Sequence, residues 1–202
     1  DKVFPQSNKV VHEKVTFRNR YGITLAADMY IPKNAKGKLA AIAVSGPFGA
    51  VKEQSSGLYA QTLAERGFLT IAFDPSYTGE SGGQPRYVAS PDINTEDFCA
   101  TIDFLSTCDN VDPERIGVLG ICGWGGMALN AAAMDTRIKA TVTSTMYDMS
   151  RVNANGYFDT MDADQRHELR RQLNAQRTLD AKNGTYELAG GVVDPLPDDA
   201  PQ

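Results

Sequence analysis

The stretch Gly117-Val118-Leu119-Gly120-Ile121-Cys122-Gly123-Trp124-Gly125-Gly126 constrains the fold more than any other part of the chain. An apolar run over residues 116–121 ends at a cysteine, glycines follow, and residues 127–134 have the composition of a helix. A strand that turns this sharply into a helix holds the residue at its apex in strained backbone, and the neighbours must be small. The same turn lifts the apical side chain clear of the sheet, beside the N–H groups that open the next helix. Such N–H groups can hold an oxyanion, and a helix N-terminus favours a thiolate. Cys122 is therefore the candidate nucleophile and Gly123 a candidate oxyanion donor. The competing reading is a buried structural cysteine beside a glycine turn, because free cysteine is often simply buried.

The rest of the chain alternates strands and helices. Residues 10–17 and 23–31 flank the turn Tyr21-Gly22 and read as an antiparallel hairpin at a sheet edge. Residues 39–44 and 68–73 are short apolar runs of the kind expected for buried strands. Residues 55–66 have helical spacing and stop at Gly67. Residues 94–106 read as a helix capped by Asn94 or Thr95, with Glu96 and Asp97 in its first turn. One further strand is expected over residues 138–143. Strands separated by helices of this length imply an α/β fold with a mainly parallel sheet flanked by helices.

Beyond Thr145 the character changes. Residues 162–179 are polar, rich in Arg and Gln, and helical in pattern. They read as a solvated surface helix, since charge runs usually are that. The tail holds Gly190-Gly191 and Asp194-Pro195-Leu196-Pro197-Asp198-Asp199-Ala200-Pro201, a linker composition. The expected division is a core over 1–145, a helical segment over 146–189 and a linker or tail over 190–202.

At 202 residues the chain is long enough for one sizeable core. A net charge of −5 argues against nucleic acid as a partner. No apolar run approaches the roughly 20 residues that cross a membrane, so no membrane partner is expected. Three cysteines, Cys99, Cys108 and Cys122, suggest no disulfide framework, and a reducing, cytoplasmic setting suits a thiol nucleophile. No cofactor is expected, and no metal.

The Gly120-x-Cys122 turn resembles the nucleophile elbow of the α/β-hydrolase superfamily, closest to the dienelactone-hydrolase-like branch, which carries cysteine where most members carry serine. The branch pattern is G-x-C-x-G-G. Here Trp124 takes the fifth position, and Gly125 and Gly126 come one residue late. The resemblance implies a second oxyanion donor in the loop after the third strand, Ser45-Gly46-Pro47-Phe48-Gly49-Ala50. That donor is the N–H of Phe48 or Gly49, because Pro47 has none. It also implies a structural role for the loop from Asp74 to Gly83, with Tyr77 facing the pocket. Glu53 and Trp124 are further pocket candidates. For Glu53 a solvent-exposed glutamate opening a helix is the competing reading. Segments after the sixth strand often form a lid in this superfamily, which gives residues 146–189 a lid-like role.

A thiol nucleophile needs a base, and the base needs orienting. The superfamily order is nucleophile, acid, histidine, with the histidine after the last strand. Past Cys122 the chain has one histidine, His167, inside the polar helix; His12 lies in the first edge strand and reads as a surface residue. Six core strands are expected where the superfamily has about two more. The sequence thus looks like the N-terminal portion of a hydrolase, and a C-terminal fragment or second chain is expected to supply acid and histidine. The expected activity is hydrolysis of small esters, lactones or thioesters through a cysteinyl acyl-enzyme, with a small acyl compound as substrate. Acyl transfer on the same fold and a non-catalytic scaffold are the alternatives.

Overall fold

The computed structural model describes residues 2–189. The expected tail over 190–202 lies outside the described residues. The elements are β1 Val10–Arg18, β2 Thr24–Pro32, β3 Leu39–Ser45, α1 Ser55–Ala64, β4 Leu69–Phe73, α2 Pro91–Ser106, β5 Val111–Ile121, α3 Trp124–Met134, β6 Ile138–Ser144, α4 Met149–Asn155, a short 3₁₀ turn Tyr157–Asp159, and α5 Ala163–Asn183. Six strands form one sheet in the order β1-β2-β4-β3-β5-β6. The β1–β2 and β2–β4 pairs are antiparallel, and β4–β3, β3–β5 and β5–β6 are parallel. This is the expected six-stranded α/β architecture, with an edge hairpin leading into a parallel sheet.

The central strands are buried on both faces, which explains their continuous apolar runs. On one face Ala43, Ile71, Val118 and Phe73 pack under α2 and α3, with Phe73 edge-on to Phe98. On the other, Val44, Ala72 and Leu119 pack with Ala60 and Ala64 of α1.

Two boundaries differ from expectation. Helix α2 begins at Pro91, not at 94: Ser90 is the cap, its Oγ accepting from Ile93 N, and proline fills the first helical position. Asn94 and Thr95 are instead buried inside the helix. Helix α3 begins at Trp124, three residues before the apolar run at Met127, because Gly120 lets its first turn approach β5. A Cβ on Gly120 would lie 2.3 Å from the Trp124 carbonyl oxygen.

The described residues form two compact units, the first ending at Val152 and the second beginning at Asn153. The first unit thus runs past the expected boundary at 145. Met146 and Met149 belong to it because they pack on the glycines of the α3 start, Gly125 and Gly123. In the second unit α5 opens on a capping box between Asp162 and Gln165 and ends at Gly184, in left-handed conformation. Its Leu169, Leu173 and Leu179 are exposed. No helix among the described residues is long and apolar enough to cross a membrane.

Candidate active site

Cys122 stands between the end of β5 and the start of α3 with φ 58°, a left-handed conformation uncommon for a residue other than glycine. Local bonds hold it there. Its N–H donates to the Ser144 carbonyl at 2.8 Å, and its own carbonyl accepts from Gly125 N at 3.0 Å. The first N–H groups of a helix have no partner inside it, which leaves the Gly123 amide at the apex as a donor.

The loop after β3 comes up against this apex. Gly46 has φ 103°, and a Cβ there would lie 2.4 Å from the Ile121 carbonyl oxygen and 2.9 Å from Trp124 Cβ. The tryptophan at the fifth elbow position is thus accommodated by a glycine elsewhere, at position 46. The Phe48 ring lies over Gly123, where a Cβ would meet it at 2.0 Å, and edge-on to Trp124 with centroids 4.3 Å apart. Ala50 N closes a turn onto the Pro47 carbonyl, so the amides of Phe48 and Gly49 sit in the middle of that turn. Beside it opens a cavity of about 370 Å³, lined by Phe48, Gly49, Val51, Thr78, Tyr87 and Trp124 among others. Phe48, Gly49 and Trp124 line this cavity; Cys122 and Gly123 are not among its lining residues and adjoin it through the Phe48 ring, which lies over Gly123 and edge-on to Trp124. The Trp124 indole N–H is buried without a hydrogen-bond partner among the described residues.

Two pocket candidates lie elsewhere. Glu53 is not among the cavity-lining residues; its carboxylate accepts from the buried Lys52 ammonium at 2.7 Å. Tyr77 is also off the cavity wall, and its ring packs against Gly83. Lys52 is the residue the sequence reading missed. It is 1% exposed and also bonds Asp74 Oδ2 at 3.1 Å and Glu80 Oε2 at 2.7 Å. Burial alone would lower its pKa, but hydrogen bonds to Glu53, Glu80 and Asp74 outweigh that and raise it. Burial pushes the Asp74 carboxyl up, against the donors that Glu80 and Lys52 aim at it. Glu80 is pulled down to about 2 by hydrogen bonds from Lys52 and Lys14. A second buried carboxylate, Asp97, accepts from Ser76 N, Ser76 Oγ, Asn19 and Asn94 and fixes the other end of the same loop.

Burial pushes Cys99 up to about 11, with the Asp135 and Glu96 charges adding to the effect, and raises Cys108 as well. His12 does not complete a dyad with Cys122. His12 is not a free surface residue: its Nε2 lies 3.0 Å from Asp28 Oδ1, and its ring stacks on Tyr30. Its strand is four positions from β5 in the sheet, about 19 Å at the usual strand spacing, too far to serve Cys122. His167 belongs to the second unit and is exposed. Among the described residues no cluster of His, Cys, Asp and Glu could hold a metal ion.

The model of the X-Pro dipeptidyl-peptidase (S15) family matches residues 21–189. The chain belongs to this S15 family. An uncharacterized Pseudomonas aeruginosa protein is 66% identical over 206 residues, covering 98% of this chain and 56% of its own length. The crystal structure of that hypothetical protein superposes with a TM-score of 0.91 over 96% of this chain and 63% of that one. The α/β hydrolase GrgF from Penicillium shares the fold at 20% identity, with a TM-score of 0.70 over 88% of this chain and 57% of that chain. A thiohydrolase from Aspergillus aculeatus is 31% identical over 132 residues, 65% of this chain and 41% of its own. The fold is thus that of the α/β hydrolases, as the elbow implied. This S15 chain spans about half the length of the curated relatives it matches.

Proposed function

We propose that this S15 chain carries the nucleophile and oxyanion half of a hydrolase that cleaves small esters, lactones or thioesters through a cysteinyl acyl-enzyme. The supporting observation is Cys122 at φ 58° on the strand-to-helix apex, with Gly123 beneath the Phe48 loop. Cys122 Sγ attacks the carbonyl carbon. The N–H groups of Gly123 and of Phe48 or Gly49 hold the resulting oxyanion. Collapse expels the alcohol or thiol, which takes up a proton, and leaves the acyl group on sulfur; water then releases the acid. A histidine oriented by an acid, both carried beyond this sequence by a C-terminal segment or a second chain, moves the protons. The thiohydrolase relative favours thioesters within this range. The dienelactone-like branch is the narrower form of the same reading. Acyl transfer differs only in the second acceptor, and a scaffold that does no chemistry is the rival from another class.

The test is acetylation by p-nitrophenyl acetate of the protein that includes the segment supplying acid and histidine, read by peptide mass. The expected result is an acetyl group on Cys122 well before Cys99 or Cys108, and a loss of about three orders of magnitude or more in release rate for Cys122→Ala. Equal labelling of all three thiols, or undiminished release by Cys122→Ala, overturns the proposal in favour of the scaffold. Adding alcohol or amine acceptors separates transfer from hydrolysis, and an X-Pro anilide tests the peptide-bond chemistry of the family's name.

A further inference from the structure

Apart from Trp124 of α3, the wall of the 370 Å³ cavity is built from two loops that leave adjacent strands. Pro47 to Val51 follow β3, and Pro75, Thr78 and Gly79 follow β4. Neither loop has regular structure of its own, so something must fix the gap between them. Asp74, at the end of β4 and fully buried, bonds to both. Toward the first loop its Oδ1 accepts from Lys52 N at 2.7 Å, and its Oδ2 accepts from Lys52 Nζ at 3.1 Å. Toward the second, the same Oδ2 accepts from Glu80 N at 2.9 Å, and the Asp74 carbonyl accepts from Ser81 Oγ at 2.7 Å. Lys52 Nζ then crosses to Glu80 Oε2 and closes the ring. Gly79 is required beside it: its φ is +55°, and a Cβ would lie 2.2 Å from Asp74 Oδ2. The Lys52 amide follows directly after Val51, so it ends the segment that carries the Phe48 and Gly49 amides.

We infer that the buried Lys52–Asp74 pair is a clamp that positions the Phe48–Gly49 amides over Cys122, making Lys52 and Asp74 positioning residues for oxyanion stabilisation. The inference rests on the acyl-enzyme reading above. A buried pair of this kind adds little net stability over well-packed apolar residues, whereas removing one partner alone is costly because a charge is left uncompensated. Its value here is geometric. Oxyanion donors act only within a few tenths of an ångström of their acceptor, and a displacement of about 1 Å costs up to a hundredfold in rate.

Two reagents on the same sulfur separate this role from a general loss of structure. Acylation of Cys122 by p-nitrophenyl acetate passes through an oxyanion; alkylation by iodoacetamide does not. Lys52→Met is expected to slow acylation about tenfold or more while leaving alkylation of Cys122 at the wild-type rate. In Lys52→Met/Asp74→Asn, with neither charge buried, thermal stability should recover while acylation stays slow. The double variant decides the question if the single one folds poorly. Equal effects on both reactions, no effect on either, or acylation recovering together with stability would overturn the clamp. Failure of the acyl-enzyme reading shows differently, as a wild-type Cys122 that p-nitrophenyl acetate acylates no faster than Cys99.

Discussion

The two sides of Cys122 are built differently. Toward β4, the loops after β3 and β4 are tied down by buried carboxylates, Asp74 and Asp97, whose donors include backbone amides of those loops. Toward β6, no further strand pairs among the described residues. Val142, which pairs with Leu119 in β5, is 53% exposed on the α1 face. Beside it Leu58 and Tyr59 of α1 are exposed, and with Thr62, Leu63, Arg66 and Leu119 they line an apolar hollow of about 390 Å³. Exposed apolar surface next to an unpaired strand edge is costly to leave in water. The opposite edge manages the problem, since β1 presents Glu13, Lys14, Thr16 and Arg18 to solvent. The contrast teaches that the loops on the β4 side are held by bonds within the described residues. The β6 side has the surface of an element meant to be covered, in keeping with relatives about twice as long.

Substitutions should be expensive on the closed side and cheap on the open one. The largest effect is expected from Gly46→Ala, which puts a methyl group at φ 103° against the Ile121 carbonyl and the Trp124 side chain. Chemical denaturation should show a loss of about 3 kcal/mol; a loss below 1 would mean that the loop gives way easily and is not fixed against the elbow. A smaller effect is expected at acid pH. Glu80 ionises near 2 in the fold against an ordinary 4.5. Its folded-state pKa is depressed, so its contribution is present above pH 4.5 and is lost as pH falls toward 2. Glu80→Gln should therefore flatten the fall of the urea midpoint between those two pH values. An unchanged slope would show the Lys52 and Lys14 bridges to be idle. The smallest effect is expected from Val142→Lys on the open face, within about 0.5 kcal/mol of wild type. Light scattering should show less self-association in that variant. A large destabilisation would mean that the face is already covered and would break the contrast.

What was legible in the sequence was local. The apex at Cys122 announces itself through glycines two residues before it and one after. The strands announce themselves through unbroken apolar runs. The interior of the cavity wall was not legible, because its bonds join residues far apart in sequence. Lys52 reaches Asp74 across 22 positions and Glu80 across 28. A lysine next to a glutamate and a glutamine reads as solvated surface until that carboxylate is placed beneath it. The same limit applied to Trp124. By the elbow pattern it stands where glycine is usual, and only the fold reveals that Gly46 supplies the room. The start of α2 is hidden in the sequence for a smaller reason: Asn94 and Thr95 are good caps, but Ser90-Pro91 lies upstream and sets the first turn.

Trp124 is the single tryptophan of the sequence, and it sits in the wall of the cavity with the Phe48 ring edge-on against it. This sequence therefore carries its own optical probe beside the strand-to-helix turn at Cys122. Excitation at the red edge of the aromatic band selects one indole, and its emission reports the polarity around the elbow alone. Occupancy of the cavity, a shift of the Phe48 loop, or docking of a further segment nearby can each be followed without a label, in an otherwise unmodified chain.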